Sequence, residues 1–283
     1  MVLKKGQGPP SKTKSKVVGQ YGRSRSQRKK WGVSRLLRRK LFYFAAFLCA
    51  GGVIFYFFFI SDKFEIKEVN ITGFRAVNEE EVRNATNNIL DEKKLGFAKA
   101  RNHFLFSGES LGASVVELFP KIASVEIEKT TDILNISLEE RKVLGVWCQG
   151  SDCFYFDKEG VIFEEAPRSF GSLMITVEDE RDGEANMGSV VLGHEQVAFI
   201  KEARGLLSRN FPFSVHTFVI TKKGEYEILT SEGWRVLLDK SAGVEYQLSN
   251  LKYVLDEAIA DQRGELEYVD LRLGNRVYYK FRD

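Results

Sequence analysis

The chain has 283 residues, of which 43% are hydrophobic, and this is the composition of a folded protein rather than of a disordered one. Its charges are segregated: residues 1–40 carry 14 of the 42 Lys/Arg and no Asp or Glu, whereas all 39 acidic residues follow residue 61. The segment that follows residue 61 is therefore acidic. Because an acidic surface repels polyanions, we do not expect this segment to bind nucleic acid.

Residues 1–40 form a basic tail without apolar periodicity, so we expect this tail to be disordered. Each Lys or Arg close to a membrane surface attracts anionic headgroups by about 1 kcal/mol. The tail is therefore expected to lie against anionic lipids and to act as a topology signal for the segment that follows.

An uncharged run of apolar residues extends from Leu41 to Ile60. As a helix this run is about 30 Å long, which is enough to cross the hydrocarbon core of a bilayer. A cleaved signal peptide would need a shorter apolar stretch, of about 7–15 residues, followed by a small-residue cleavage site. No such site follows Ile60. The run at 41–60 therefore predicts a single transmembrane helix, with the basic tail in the cytoplasm and the rest of the chain outside, a type II topology in the cytoplasmic membrane.

The region 62–141 is predicted to fold as strand, helix, helix, strand and strand. Asn78 is the expected N-cap of the first helix, with Glu81 completing a capping box, and the second helix follows Ser107 or Ser110. Apolar residues at helical spacing or in alternation give the expected core: Val82, Ala85, Ile89, Leu111, Val115, Leu118, Ala123, Val125, Ile127, Leu134, Ile136 and Leu138.

The region 142–283 is predicted to be a second domain of mixed α+β class, because many short apolar runs are separated by Gly, Asp and Lys turns. One β-hairpin is expected at residues 157–160. Two amphipathic helices interrupt the strands, and their apolar faces hold Phe199, Ile200, Ala203, Leu206 and Leu207 in one, and Val244, Leu248, Leu251, Leu255 and Ile259 in the other.

Three cysteines are present. Cys49 fills apolar space inside the span. Cys148 and Cys153 are both expected outside, where they could close a small disulfide loop in an oxidising compartment or remain free thiols in a reducing one. A metal half-site would require two further ligands, and no pattern in the sequence supplies them.

The last two strands are predicted to form a terminal hairpin with a loop of three residues. This loop length pairs Leu273 with Val277, Leu271 with Tyr279 and Val269 with Phe281, and all six then face the core. Arg276, Tyr278 and Lys280 are then expected to face outward. Since the sequence given stops at Asp283, we expect no later segment to cover the final strand, which is either an ordinary edge protected by Lys280, an edge already paired within the sheet, or an edge open to another strand.

Two stretches resemble a known family. The pattern F-x-I-x-x-V-x-I-x-G, formed by Phe64, Ile66, Val69, Ile71 and Gly73 immediately after the span, with Phe119-Pro120-x-Ile122-x-x-Val125 further on, resembles the polypeptide-transport-associated (POTRA) domain of the cell division protein family FtsQ/DivIB. The family carries a β domain after this unit, and residues 268–272 are similar to the first strand of its terminal hairpin.

The resemblance implies a division scaffold without catalysis or cofactor, located at the septum, which links division proteins and restrains septal wall synthesis. Its terminal region would recruit the membrane proteins FtsB and FtsL, and strand addition is a physically sensible mode. The expected binding residues are Arg272, Leu273, Arg276, Val277, Tyr278, Tyr279, Lys280 and Phe281. Leu273 departs from the family, which often has an aromatic residue there.

A membrane-anchored envelope enzyme, such as a hydrolase or acyltransferase, is the alternative. The three histidines, His103, His194 and His216, are far apart in sequence and form no HExxH motif. The S-x-x-K motif of penicillin-recognising enzymes occurs at Ser249–Lys252 and at Ser11–Lys14, but neither S-D-N nor K-T-G accompanies it. The sequence therefore indicates no catalytic or metal site.

Overall fold

The computed structural model describes residues 35–94, 96, 98–130, 132–168 and 174–283. Most of the predicted basic tail, and the motif at Ser11–Lys14, lie outside the described residues. The chain divides into two compact units between Val53 and Ile54. The fold is mixed α+β, with one N-terminal apolar helix and a sheet-rich C-terminal region.

Helix α1, Arg35–Phe59, contains the predicted span, and none of its side chains is buried. Among the described residues it is the helix long and apolar enough to cross a membrane. Its described part extends back to Arg35, so residues 35–40 of the predicted disordered tail are helical, because the Arg, Leu and Lys residues of this segment are good helix formers. It ends at Phe59, one position before the predicted Ile60.

The N-terminal part of the second unit holds a three-stranded sheet and two helices. Its strands are β1 Glu68–Thr72, β2 Lys93–Lys94, β3 Ala98–Lys99, β4 Ile122–Lys129 and β5 Ile133–Glu140, and its helices are α2 Glu79–Asp91 and α3 Gly108–Leu118. The sheet has the order β1-β5-β4, with β1 parallel and β4 antiparallel to β5. Strands β2 and β3 form a separate short hairpin between the two helices.

Helix α2 has the predicted N-cap: the side chain of Asn78 accepts a hydrogen bond from the amide of Glu80 (2.9 Å). The predicted capping box is not formed, because the carboxylate of Glu81 accepts from the side-chain amide of Asn78 (3.3 Å) instead of from its backbone amide. The buried face of α2 differs from the predicted one. Val82 is buried, but Thr86 and Leu90 share its face, whereas Ala85 and Ile89 are half-buried at the margin. The observed residues are spaced by four, and residues four apart lie almost directly above one another in a helix. The predicted face contained Ala85 and Ile89, each one position before the residue that is buried.

Helix α3 is capped by Ser107, whose hydroxyl accepts from the amide of Ser110 (3.3 Å). It buries Leu111 and Val115 as predicted. Leu118 was predicted to be buried and is 57% exposed, because it ends the helix and the following residue, Phe119, packs against the core instead.

The C-terminal part of the unit is built on a sheet of nine strands. These are β6 Gly145–Gln149, β7 Asp152–Phe156, β8 Ile162–Glu165, β9 Ile175–Asp179, β10 Val215–Ile220, β11 Tyr226–Thr230, β12 Arg235–Leu238, β13 Leu266–Leu273 and β14 Arg276–Phe281. Their spatial order is β14-β13-β12-β11-β10-β9-β6-β7-β8. The hairpin predicted at 157–160 joins β7 to β8.

Two helices cross over between parallel neighbours in this sheet. Helix α4, His194–Asn210, connects β9 to β10, and helix α5, Val244–Val254, followed by a π-helical turn at Leu255–Ile259, precedes β13, which is parallel to β12. Both helices bury the predicted apolar faces in one core with Trp147, Phe156 and Trp234, although Leu206 is only half-buried. This core is separate from that of the three-stranded sheet.

Candidate functional site

The terminal hairpin lies at one end of the nine-stranded sheet, where β14 pairs with β13 alone. The connection is a two-residue loop, Gly274-Asn275, in which Gly274 has φ 67°. Asn275, the second loop residue, does not have a positive φ. A positive φ at only the first loop residue is the requirement of a type II′ turn, and glycine meets it without steric cost. The turn fixes the start of the hairpin.

The register of the hairpin differs from the predicted one. Leu273 pairs with Arg276 at the turn, whereas Asp270 pairs with Tyr278 and Val269 with Tyr279. A bulge at residues 271–272 therefore inserts one extra residue into β13 next to the turn, and a second register shift lies further along β13, between Leu266 and Tyr268. The prediction placed the extra residue in the loop; the structure places it in the strand, and either solution restores the alternation of faces.

The bulge changes which side chains are covered. Val269 and Leu271 are buried, and Val277 and Phe281 pack half-buried against the core. Leu273 and Tyr279 were predicted to be buried but are 55% and 41% exposed. Arg276, Tyr278 and Lys280 are exposed, as predicted. The hairpin thus exposes the apolar and aromatic side chains of Leu273, Tyr278 and Tyr279 to solvent.

The amides of β14 point alternately toward β13 and toward the open edge. The amide of Arg282 donates to the carbonyl of Glu265 (2.7 Å), on the β13 side. Because backbone groups alternate in direction along an extended strand, those of Lys280 and Tyr278 face β13 as well. The residues whose amides and carbonyls face the open edge are Val277, Tyr279 and Phe281.

Arg272 lies in the bulge and is held by two carboxylates. Its Nε and Nη2 donate to Asp270 at 2.9 and 2.7 Å, and its Nη1 lies 2.9 Å from Glu225. Burial alone would raise the pKa of Asp270, but the hydrogen bonds and charge of Arg272 outweigh it and lower that pKa. The hydrogen bond with Asp270 in turn raises the pKa of Arg272. The guanidinium is therefore a fixed cation at the base of the hairpin.

Lys280 lies on the outer face of β14 and forms an ion pair with Glu267 of the neighbouring strand, with Nζ and Oε2 2.6 Å apart. The hydrogen bond to Glu267 raises the pKa of Lys280. A lysine on an edge strand discourages unselective strand pairing. Lys280 is thus a charged, ion-paired side chain on the outer face of the edge strand.

The opposite end of the sheet is covered. Strand β8 is short, and Ile162 exchanges backbone hydrogen bonds with the segment at Gly188 and Ser189 (2.8 and 3.1 Å). Lys121, from the turn before β4, also contacts Glu164 of β8 (2.6 Å). In the nine-stranded sheet, the open edge among the described residues is therefore β14.

Cys148 on β6 and Cys153 on β7 lie directly opposite each other. Cys148 and Cys153 form a disulfide, with the Sγ atoms 2.03 Å apart and both residues buried. They form a small buried cluster with Val146, and Tyr155, Ala166 and Met174 pack half-buried against it. Cys49 is exposed on α1.

The other residues considered from the sequence do not meet in one site. His103 lies in the loop before α3, His194 begins α4 and His216 lies in β10. The described residues contain no group of three or more His, Cys, Asp or Glu side chains placed to hold a metal ion. Ser249 of the S-x-x-K motif lies on α5, and its hydroxyl donates to the carbonyl of Glu245 (2.8 Å).

Sequence reasoning missed the carboxylates that hold Arg272. A signal existed in the repeated pattern Asp-x-Arg, because Asp179 and Arg181 at the end of β9 make the same contacts as Asp270 and Arg272 (Nε to Oδ1 2.8 Å, Nη2 to Oδ2 2.6 Å).

A family model described as cell division protein FtsQ/DivIB, C-terminal, matches residues 145–272. A comparison with curated proteins finds no match. The matched residues begin at β6 and end at Arg272, so they include Asp270 and Glu225, the two carboxylates that contact Arg272. The family is a membrane-anchored, non-enzymatic scaffold family of the division machinery. Residues 145–272 are thus similar to the C-terminal domain of FtsQ/DivIB, and this match supports assignment of the chain to that family and a role in cell division.

Proposed function

We propose that the chain is a bitopic membrane scaffold of the divisome that recruits FtsB-like and FtsL-like proteins by accepting a partner strand at β14. Through these partners and other divisome proteins it helps to control septal cell-wall synthesis, without catalysis of its own. The observation that carries the proposal is the open edge of β14, which follows shortly after the residues 145–272 that match the family model.

The proposed topology has residues 1–40 in the cytoplasm, a span at 41–60, a POTRA domain at 62–141 and the FtsQ-type β domain at 142–283. Helix α1 supports the span, because it is apolar and has no buried side chain. The three-stranded sheet with its two helices and separate core supports the POTRA assignment. The concentration of basic charge before the span supports the orientation.

The binding mode follows from the directions of the backbone groups. An incoming extended segment would pair with the amides and carbonyls of Val277, Tyr279 and Phe281, as in other β-augmentation complexes. The side chains of Tyr278 and Lys280, on the outer face, would then contact alternate residues of that segment. Leu273 and Arg276 at the turn, with Arg272 in the bulge, would contact its end.

A proline at Tyr279 tests this mode directly. Proline removes the amide that faces the open edge but leaves the β13–β14 hydrogen bonds in place. Tyr279→Ala is the matched control, since it loses the same ring and keeps the amide. The full chain, extracted from membranes, should capture tagged FtsB-like and FtsL-like proteins from the same cells at least about tenfold less well as Tyr279→Pro than as Tyr279→Ala, because each lost hydrogen bond costs about 1 kcal/mol and the ring displaces the partner backbone.

Tyr278→Pro would be a poorer probe, because the amide of Tyr278 faces β13 and its loss would loosen the hairpin itself. Both Tyr279 variants should retain the urea midpoint of the parent within experimental error. Undiminished capture by Tyr279→Pro would exclude strand addition at this edge. Equal losses in the proline and alanine variants would show instead that the ring, rather than the backbone, binds the partner.

A further inference from the structure

The last turn of α1 is built into the folded unit that begins at Ile54. Phe64, in the 3₁₀ turn after the helix, stacks on Phe58 with ring centroids 5.1 Å apart, and Phe104, from the loop before α3, contacts both of them (5.4 Å each). These three rings are termed here the aromatic junction. Because Phe58 is the penultimate residue of the apolar helix, the junction lies at the level where that helix would leave the bilayer.

Hydrogen bonds fix the junction as well as ring contacts. Asn102 is 2% exposed, and its Nδ2 donates to the carbonyl of Phe58 (2.9 Å) while its Oδ1 accepts from the amide of Phe104 (2.9 Å). The amide of His103 donates to the carbonyl of Phe64 (2.7 Å). A carbonyl in the last turn of a helix has no intrahelical partner, so Asn102 supplies one. The loop is therefore held against the end of the helix.

The junction and the neighbouring ring of Phe57 are nevertheless only partly covered by the described residues. Phe104 is 50% exposed, and Phe57 and Phe58 are 41% and 36% exposed. Two lysines flank the rings: Lys63 lies 5.5 Å from the ring centroid of Phe57, and Nζ of Lys129 donates to the carbonyl of His103 (3.0 Å). Exposed aromatic rings beside lysines, continuous with an apolar helix, match the composition of the interface between hydrocarbon and headgroups.

We propose that the loop carrying Phe104 is a lipid-contact surface that rests in the outer interface of the membrane, with Lys63 and Lys129 directed to headgroup phosphates. The domain at 62–141 would then be held against the bilayer in one orientation instead of moving freely at the end of the span. This inference rests on the proposed membrane topology, and it goes beyond it because a span alone does not bring residue 104 into contact with lipid.

Depth-dependent fluorescence quenching of the full chain tests the proposal. In a Cys49→Ala background, single cysteines at three positions are labelled with an environment-sensitive nitrobenzoxadiazole dye, and the protein is reconstituted into phosphatidylethanolamine–phosphatidylglycerol vesicles with or without lipids spin-labelled at carbon 5. Phe104→Cys is the test position. Leu118→Cys, exposed on α3 of the same domain, is the control outside the proposed surface, and Phe47→Cys reports insertion of α1.

We expect the dye at position 104 to be quenched at least threefold more strongly than the dye at position 118, and the dye at position 47 to be quenched too. Strong quenching at 47 with equal, weak quenching at 104 and 118 would overturn the lipid contact and leave the topology intact. Absence of quenching at 47 would overturn the topology itself. Quenching or burial at 104 that arises only when a second membrane protein is added would assign the surface to that protein and also overturn the proposal.

Discussion

Arg272 grips the carboxylate of Asp270 from two positions further along the same strand, with Nε and Nη2 each donating to a different oxygen at 2.9 and 2.7 Å. Side chains at i and i+2 lie on one face of a regular strand, so this geometry does not itself require a bulge. The bulge at 271–272 moves the guanidinium so that it also reaches Glu225 on the loop before β11. One arginine therefore links the terminal hairpin to the middle of the sheet.

Arg272→Ala is expected to lower the free energy of unfolding by about 1–3 kcal/mol, because Asp270 would keep a largely buried charge without its partner. Arg272→Lys should recover only part of this, since an ammonium cannot make the two-pronged contact. Urea denaturation of the full chain in detergent, followed by the fluorescence of buried Trp147 and Trp234, measures the change. Equal stability of the Ala variant and the parent would show that the pair contributes nothing.

Stability should fall in acid. Asp179 and Asp270 are each partly desolvated, yet hydrogen bonds from Arg181 and Arg272 lower their pKa below the ordinary value of 3.8. For each carboxylate, the pKa is lower in the native state than in the unfolded state, so between these two values the unfolded chain binds more protons than the native one. The two carboxylates therefore stabilise the fold fully above about pH 5, and this stabilisation is lost as the pH falls through the native pKa.

The measurement is the urea midpoint between pH 7 and pH 3. It should be nearly constant from pH 7 to pH 5 and decrease below about pH 4. Asp270→Asn serves as the matched variant: it should be less stable at pH 7 and should show a shallower decrease in acid. A midpoint that rises on acidification, or the same slope in both proteins, would contradict the assignment.

Glu140 is expected to stabilise the entry to α2. Its carboxylate accepts hydrogen bonds from three successive amides, those of Arg75 (2.7 Å), Ala76 (2.9 Å) and Val77 (3.0 Å). Although desolvation works against it, these bonds lower the pKa of Glu140. Glu140→Ala should cost about 1–2 kcal/mol.

Hydrogen exchange locates this effect, because the amides of residues 75–77 should lose protection in Glu140→Ala before the rest of the domain does. Glu139, the preceding and exposed residue of β5, provides the control, and its replacement by Ala should change stability by less than about 0.5 kcal/mol. Unchanged exchange at 75–77 would show that the carboxylate does not hold this turn in solution.

Thiol counting tests the pairing of Cys148 and Cys153. The chain has 3 cysteines, of which Cys49 is free in the structure. The denatured protein should therefore react with one equivalent of a thiol reagent before reduction and three after it. Because the bridge closes a very short loop, replacing both cysteines by serine should cost only about 2 kcal/mol through the unfolded chain. Three reactive thiols without reduction would rule out the bridge.

The strand and helix positions could be predicted where one face of an element is buried and the other is wet. The core of β5, at Leu134, Ile136 and Leu138, follows directly from alternation, and the cap at Asn78 follows from its hydrogen-bonding side chain. Such features depend on neighbours along the chain, and the sequence displays those neighbours.

The candidate site was harder to predict because its geometry depends on residues distant in sequence. Alternation showed that the hairpin needed one extra residue, but it did not say whether the loop or the strand should contain it. The structure contains it in the strand, where Arg272 also contacts Glu225, a residue far from it in sequence. The open edge itself depended on the order of strands across the whole sheet, which no local pattern specifies.

Among the described residues β8 is covered and β14 is open, so under the proposed binding mode the nine-stranded sheet would lengthen at β14. Occupancy of that edge is exclusive: a partner strand and a second copy of this chain would compete for the same backbone groups. Under the proposed binding mode, self-association through β14 and assembly with partners would thus be alternatives at a single surface, and their ratio would depend on both the concentrations and the affinities of the two proteins.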